Sequence, residues 1–122
     1  MITKYFAQFD EIINKADFIT STEIQKRKIN NFLGIIEGKI IVEDKTLDIL
    51  EVIKIADQQL SKTKYKYHFQ DSDHSLIFRY DNAPHHKEIE TFPHHKHLPE
   101  KITACNEPNL LQILSAINKI CE

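Results

Sequence analysis

Five histidines lie within thirteen residues in the second half of the chain, beside an arginine and an aspartate. They are His85, His86, His94, His95 and His97. Arg79 and Asp81 come shortly before them, and Lys96 lies among them. An imidazole gains or loses a proton near neutral pH and also binds first-row metals, so we expect the chemistry of this protein in residues 79–97.

General acid–base catalysis on RNA is the first chemistry that fits these side chains. It needs a base for the 2′-hydroxyl, an acid for the leaving 5′-oxygen and a cation on the phosphate. Base and acid would be one imidazole from residues 85–86 and one from residue 95 or 97. Arg79 and Lys96 would hold the phosphate, and Asp81 would orient an imidazole. The candidate catalytic residues are Arg79, Asp81, His85, His86, His95, Lys96 and His97.

Two other interpretations of the histidines stay open. Imidazoles with a carboxylate suit zinc and other first-row metals, although this spacing matches no named zinc motif. We therefore expect no cofactor, with a divalent metal as the alternative. The last interpretation gives the histidines no chemical role, since surface loops carry such residues and Asp81-Asn82-Ala83-Pro84 is also a turn sequence.

Length, charge and cysteine content are those of an ordinary globular protein in a reducing compartment. The 122 residues fit a single domain, 1–122, and the formal net charge of −2 does not mark a nucleic-acid binder, although a local basic patch stays open. Cys105 and Cys121 are expected to be free thiols, because no secretory segment is visible. No stretch reaches the roughly 18 apolar residues of a membrane helix, so we expect a cytoplasmic protein.

Alternation and β-branched residues predict about five to six strands in the middle of the chain. They cover about residues 20–28, 32–42, 47–55, 65–70 and 76–81, with a further short one at 101–105. Residues 57–63 are expected to be a polar connector. Residues 82–99 contain three prolines and are expected to form a long loop, without a central strand. Glu51 interrupts an apolar row and either faces the Arg79 cleft or lies solvated at an edge.

The predicted fold class is α+β. Apolar residues recur at helical spacing over residues 2–16 and 108–121, where Pro108 suits a first helical turn. We expect a single antiparallel sheet with this N-terminal and this C-terminal helix packed on it. The register of residues 76–81 is ambiguous by one position, so the face that carries Arg79 is not predicted. We do expect the side chains of four histidines to converge on one cleft with Arg79: His85, His86, His95 and His97.

The segment from Tyr65 to His97 resembles the TumE-type family of small bacterial and archaeal proteins. The blocks Asp81-Asn82-Ala83-Pro84-His85-His86 and Phe92-Pro93-His94-His95-Lys96-His97 carry the resemblance, with residues 65–73 before them. Two positions depart from the family pattern. His74 stands where the family often has Gly, and Lys87 stands where it often has Pro.

The resemblance implies the toxin component of a type II toxin–antitoxin pair, with ribonuclease activity on cellular RNA. It also implies an antitoxin partner with a helix-turn-helix DNA-binding domain, and a homodimer stays open. It assigns no catalytic roles, so those given above follow from side-chain chemistry alone. The alternative function is a non-catalytic histidine-rich module that binds a metal or another protein.

Overall fold

A seven-stranded antiparallel sheet with a helix at each end of the chain makes up the computed structural model, which describes residues 1–122. The elements are α1 (Ile2–Lys15), β1 (Ser21–Asn30), β2 (Leu33–Val42), β3 (Lys45–Ala56), β4 (Gln59–Gln70), β5 (Leu76–Asp81), β6 (His95–Leu98), β7 (Lys101–Ala104) and α2 (Leu110–Ile120). Each strand pairs with the next in sequence, from β1 to β7. The predicted α+β class and the single antiparallel sheet are confirmed.

Both helices pack on one face of the sheet, which we call the helix face. The alternation along the strands places large apolar side chains there, and the helices cover them with their own apolar stripes. The buried cluster includes Phe9 of α1, Ile36, Leu47, Ile49, Tyr67, Phe69 and Phe78 of the sheet, and Ile113, Leu114 and Ile117 of α2. Burial of each such side chain stabilises the fold by about 1.5–3 kcal/mol. Neither helix is long and apolar enough to span a membrane.

The opposite face of the sheet, which we call the open face, carries the polar residues of interest. Its central part is formed by Leu50, Lys66, His68, Arg79, Asp81, His95 and His97. Phe78 is buried on the helix face, and successive side chains of a strand alternate, so Arg79 must lie on the open face. The structure thus resolves the register that the sequence left ambiguous.

The sheet has seven strands, not five to six, because residues 82–99 are not all loop. β6 starts two residues after Pro93, ends before Pro99, and lies inside the sheet between β5 and β7. Prolines flank this strand and do not interrupt it, so the ladder hydrogen bonds are kept. Its short polar sequence, His-Lys-His-Leu, has no apolar alternation to reveal it.

Two element boundaries also differ from the sequence prediction. β4 begins at Gln59, so most of the expected polar connector is strand, and the turn is only Asp57-Gln58, both with positive φ. Two central residues with φ above zero are typical of a tight hairpin turn. The last helix begins at Leu110, after Pro108. The Asn109 side chain accepts the Gln112 N–H at 2.8 Å and fixes this start.

Glu51 lies on the helix face, which corrects both expectations for it. It is fully buried and accepts hydrogen bonds from the hydroxyls of Tyr5 and Tyr67, each at 2.5 Å. The two donors satisfy a carboxylate that would otherwise be costly to bury. Glu51 therefore joins α1 to the sheet and lies on the other side from Arg79.

Candidate active site

Asp81, at the end of β5, is the central acceptor of the candidate site. It is 4% exposed, and its oxygens accept Arg79 Nε–H at 2.8 Å and Ala83 N–H at 3.0 Å. Burial raises the pKa of the Asp81 carboxyl, but the Arg79 and Ala83 hydrogen bonds and the positive charge of His95 outweigh it. The pKa of Asp81 therefore lies below its ordinary value, and the carboxylate is charged at neutral pH.

His95 faces Asp81 across the β5–β6 pair and is held at both ring nitrogens. Its Nε2 lies 2.9 Å from Asp81 Oδ1, and its Nδ1 lies 2.8 Å from the Pro93 carbonyl oxygen. Both of these oxygens can only accept, so both contacts are hydrogen bonds when both ring nitrogens carry protons. His95 is only 2% exposed. It is therefore placed to position Asp81 rather than to touch a substrate.

His97 lies two residues further along β6 on the same face and reaches the surface. Its side chain is 25% exposed, and its Nε2 is 3.7 Å from Asp81 Oδ2. Burial lowers the pKa of His97, and the nearby positive charges of His95 and Arg79 add to this effect against the attraction of Asp81. The net direction is downward, so His97 is neutral at neutral pH.

His86 comes back to these residues from the loop between β5 and β6. Its ring centroid is 5.5 Å from that of His95 and 5.9 Å from that of His97. Its Nδ1 lies 3.3 Å from a carboxylate oxygen of Glu88. His86 has φ of 59°, a backbone conformation that non-glycine residues adopt at a cost of about 1 kcal/mol or more. We call Arg79, Asp81, His86, His95 and His97 the Asp81 cluster.

The other two histidines of this segment, and Lys96, lie outside the Asp81 cluster. His85 is exposed, and its ring contacts none of the other imidazoles. Lys96 alternates to the helix face, where its Nζ lies 5.1 Å from the centre of the Tyr80 ring. His94 Nδ1 is 2.9 Å from the Tyr65 hydroxyl. The structure thus brings together His86, His95, His97, Arg79 and Asp81, and separates His85 and Lys96 from them.

The family of the chain is given by a comparison with protein-family models. A model described as Toxin TumE matches residues 9–121, which is nearly the whole chain. The chain belongs to the toxin TumE family. The resemblance carried by its two histidine blocks is thereby confirmed, and membership indicates the toxin component of a toxin–antitoxin system, with an antitoxin as partner. Neither a curated protein nor a solved structure matches the chain.

Asn82, in the first TumE histidine block, has a positioning role that the sequence analysis missed. Its side-chain oxygen accepts the Tyr65 N–H at 3.0 Å, and its amide group donates to the Thr63 carbonyl at 3.2 Å. The side chain thus continues the β4–β5 ladder where the backbone turns away. The Asp-Asn dipeptide was a visible signal, since both side chains commonly hydrogen-bond to nearby backbone.

His74 bears on the departure from the TumE pattern at the turn between β4 and β5. Its φ is 69°, in the left-handed region that glycine adopts without steric cost. The family often has Gly at this position, and histidine tolerates the same conformation better than most residues. The departure therefore leaves the turn intact, and with it the pairing that places Arg79.

The Asp81 cluster also contains atoms that could hold a divalent cation. Asp81, His95 and His97 each offer one ligand atom, and these atoms lie within 4.8 Å of one another. The bond from His95 Nδ1 to a backbone carbonyl is the kind of contact that often orients a metal-binding imidazole. A metal on His95 Nε2 would have to replace its present contact with Asp81.

The two cysteines offer no competing nucleophile. Both are free, and burial raises the pKa of the Cys105 thiol and of the Cys121 thiol. A raised pKa leaves less thiolate at neutral pH, and the thiolate is the reactive form. The histidines therefore stay the candidate reactive groups of this TumE-family chain.

Proposed function

We propose that the chain is an endoribonuclease toxin whose histidines cleave RNA by acid–base chemistry. The observation that carries the proposal is the Asp81 cluster itself. It combines a neutral imidazole, a second imidazole beside a carboxylate, and a guanidinium on an open sheet face. Membership in a toxin family supports a destructive activity on a cellular target. An RNA substrate would place that activity in the cytoplasm.

His97 is the proposed general base. It is neutral at neutral pH and partly exposed, and the Asp81 carboxylate stabilises the positive ring formed when it accepts a proton. His97 takes the proton of the RNA 2′-hydroxyl, and the 2′-oxygen attacks the adjacent phosphorus. The bond from phosphorus to the 5′-oxygen breaks, which leaves a 2′,3′-cyclic phosphate on one product.

His86 is the proposed general acid. Its ring lies 5.9 Å from that of His97 and is partly exposed, so it can reach a leaving group that His97 does not contact. It gives its proton to the leaving 5′-oxygen, so the second product ends in a 5′-hydroxyl. Water then returns the two histidines to their starting protonation states by exchanging one proton with each. His95 holds Asp81 and is a positioning residue.

Arg79 is the proposed phosphate ligand. Its Nε is bound to Asp81 at 2.8 Å, which fixes the plane of the guanidinium and leaves the terminal nitrogens without a partner in the protein. Two parallel N–H groups match two phosphate oxygens. The side chain is 38% exposed, so a substrate can reach it. Lys96 takes no part, because it lies on the other face of the sheet.

The antitoxin is proposed to carry a helix-turn-helix DNA-binding domain, as the resemblance to the family implies. The antitoxin would block the access of RNA to the Asp81 cluster until the antitoxin itself is degraded. Co-expression of the chain with the neighbouring reading frame tests this partner. Restored growth and a co-purified complex support it, whereas unchanged toxicity contradicts it.

The experiment that tests the function is cleavage of a defined single-stranded RNA by the purified chain, followed by analysis of the new ends. We expect 2′,3′-cyclic phosphate and 5′-hydroxyl ends from the wild type, and arrested growth on induced expression. The matched variants are His97→Ala and His86→Ala, with His74→Asn as the control at a distant turn. Intact RNA after incubation with folded wild-type protein would contradict the proposal.

A metal-binding module is the second candidate, favoured by the ligand atoms of Asp81, His95 and His97. The metal content of the purified protein distinguishes the two candidates. A stoichiometric metal that is lost when any one of the three residues is replaced supports the metal-binding module. Metal-free protein that cleaves RNA supports the first.

A further inference from the structure

A cavity of about 460 Å³ opens on the open face directly beside the Asp81 cluster. Its lining includes Leu50, Lys64, Lys66, Arg79, Asp81 and Asn82. The volume is within the usual range of small-ligand sites. Arg79 and Asp81 belong to both the cavity and the Asp81 cluster, so any substrate held at Arg79 must continue past the mouth of this cavity.

The strand register places two residues of the cavity, Leu50 and Lys66, in one row with Asp81 and His95. Leu50 pairs with Lys66, Lys66 pairs with Asp81, and Asp81 pairs with His95, all on the open face. Neighbouring strands are about 4.8 Å apart, so Lys66 lies roughly 10 Å from β6 along this row. That is far enough to contact a different part of a chain substrate from the part held at Arg79.

The charge of the cavity is positive and uncompensated. Neither Lys64 nor Lys66 lies in an ion pair, and the one carboxylate in the lining, Asp81, is already bound by Arg79 and His95. The chain as a whole has a net charge of −2, so this local excess of cations is not a general property of its surface. A cavity of this kind is complementary to an anion.

The floor of the cavity is partly apolar. Leu50 occupies the open face between charged neighbours, and its side chain is only partly exposed. An inorganic anion would gain nothing from it, whereas a nucleotide presents an apolar ribose or base beside each phosphate. Two separated lysines around one apolar residue therefore fit consecutive nucleotides better than a single small anion.

We propose that this cavity is a binding subsite for single-stranded RNA next to the scissile phosphate, with Lys64 and Lys66 on backbone phosphates and Leu50 under a ribose or base. The subsite rests on the proposed ribonuclease function and names the form of its substrate. A single strand fits the cavity because its unpaired bases can turn toward the protein, whereas the bases of a duplex are stacked and paired. The chain thereby binds a strand of several nucleotides, and cuts it at one end of this subsite.

The test uses the double variant Lys64→Gln/Lys66→Gln, with Lys39→Gln/Lys54→Gln as the matched control. The control removes the same charge from the sheet, and neither of its residues lines the cavity. The probe is a short single-stranded oligoribonucleotide with 2′-O-methyl groups, which lacks the attacking hydroxyl and is not cut. Binding of the probe is measured over a range of salt concentrations, and thermal unfolding shows that each variant is folded.

Each phosphate contact on a single strand contributes about 0.7 to the slope of log K against log salt, so the cavity variant should lose about 1.4 from this slope. The control should keep the slope of the wild type. In cleavage, the ratio of kcat/KM for long RNA to kcat/KM for a dinucleotide should fall about a hundredfold in the cavity variant, as expected for two lost charged contacts of about tenfold each.

Equal slopes in the two double variants would overturn the subsite, and so would equal losses on long RNA and on the dinucleotide. If folded wild-type protein cuts no RNA, the proposed function fails, but the binding measurement still decides the subsite. The two failures are therefore distinguishable, because one is read from cleavage and the other from the salt dependence of binding to an uncut probe.

Discussion

His95 Nε2 lies 2.9 Å from Asp81 Oδ1, in a β5–β6 pair where the two residues are direct cross-strand partners. The second nitrogen of His95 is held by the Pro93 carbonyl oxygen, so the imidazole cannot turn away from the carboxylate. Asp81 in turn fixes Arg79 and lies beside His97. The buried contact between His95 and Asp81 therefore helps to place Arg79 and His97, the proposed phosphate ligand and general base.

Replacement of Asp81 by Asn should destabilise the protein by about 3 kcal/mol at neutral pH, because it removes the buried carboxylate that Arg79, Ala83 and His95 contact. The pKa of Asp81 is lowered in the folded state, so the charged carboxylate stabilises the fold above its ordinary pKa of about 3.9. That contribution is lost as the pH falls through the lower folded-state value. Chemical denaturation of both proteins at neutral and acidic pH measures this. A penalty that does not shrink in acid would contradict the assignment.

Replacement of His97 by Ala should lower the cleavage rate by about a hundred to ten thousand fold, the range for one positioned proton-transfer group. His86→Ala should show a loss in the same range, and His85→Ala a smaller one, because His85 lies outside the Asp81 cluster. His74→Asn serves as the control, since Asn also tolerates a positive φ at that turn. Single-turnover cleavage of a defined RNA gives these rates. A larger loss at His85 than at His86 would reverse the assignment of the acid.

The rate of cleavage should be bell-shaped in pH. Burial and the neighbouring positive charges lower the pKa of His97, so kcat/KM should rise with pH along a limb whose midpoint lies below about 6.5. At higher pH the rate should fall as His86 loses its proton. In His86→Ala the alkaline limb should disappear while the acidic limb stays. An acidic limb above the ordinary histidine range would argue against His97 as the base.

Chelator should leave RNA cleavage unchanged if protons on His97 and His86 do the work. The metal-binding alternative predicts loss of activity in chelator and recovery with a divalent cation, because Asp81, His95 and His97 would then act together. Activity before and after dialysis against chelator, with metal content by elemental analysis, separates the two. Recovery with zinc but not with magnesium would favour the imidazole-rich site.

Replacement of Asn82 by Ala should lower both stability and cleavage. It removes two hydrogen bonds to β4, each worth about 1 kcal/mol, and frees the turn that starts next to Asp81. Asn109→Ala is the matched control, because it removes a helix cap worth about 1 kcal/mol on the other face of the sheet. Thermal unfolding and cleavage of both variants give the comparison. Equal activity in the two variants at equal stability would show that Asn82 has no positioning role.

The sequence predicted much of the fold because the spacing of its apolar residues changes clearly between helical and strand periods. Helix α1 and the strand segment at Tyr65, Tyr67 and Phe69 each bury one face, and this burial leaves a regular spacing of apolar residues that the sequence shows directly. It did not predict β6, because this strand has only four residues, three of them polar, between two prolines. It also misplaced Glu51, because a buried carboxylate depends on donors from Tyr5 and Tyr67, which are distant in sequence.

The residue types of the site were also set by the sequence alone: imidazoles, a carboxylate and a guanidinium within residues 79–97, in blocks typical of the TumE family. Which of them meet was decided only by the tertiary structure. Successive side chains of a strand point to opposite faces, and this separates His97 from Lys96. The strand register then decides which of the two shares a face with Arg79. Burial then divides the roles further, since His95 is enclosed by its partners and His97 is left within reach of solvent. Local sequence carries neither the register nor the burial, because both depend on contacts between distant strands.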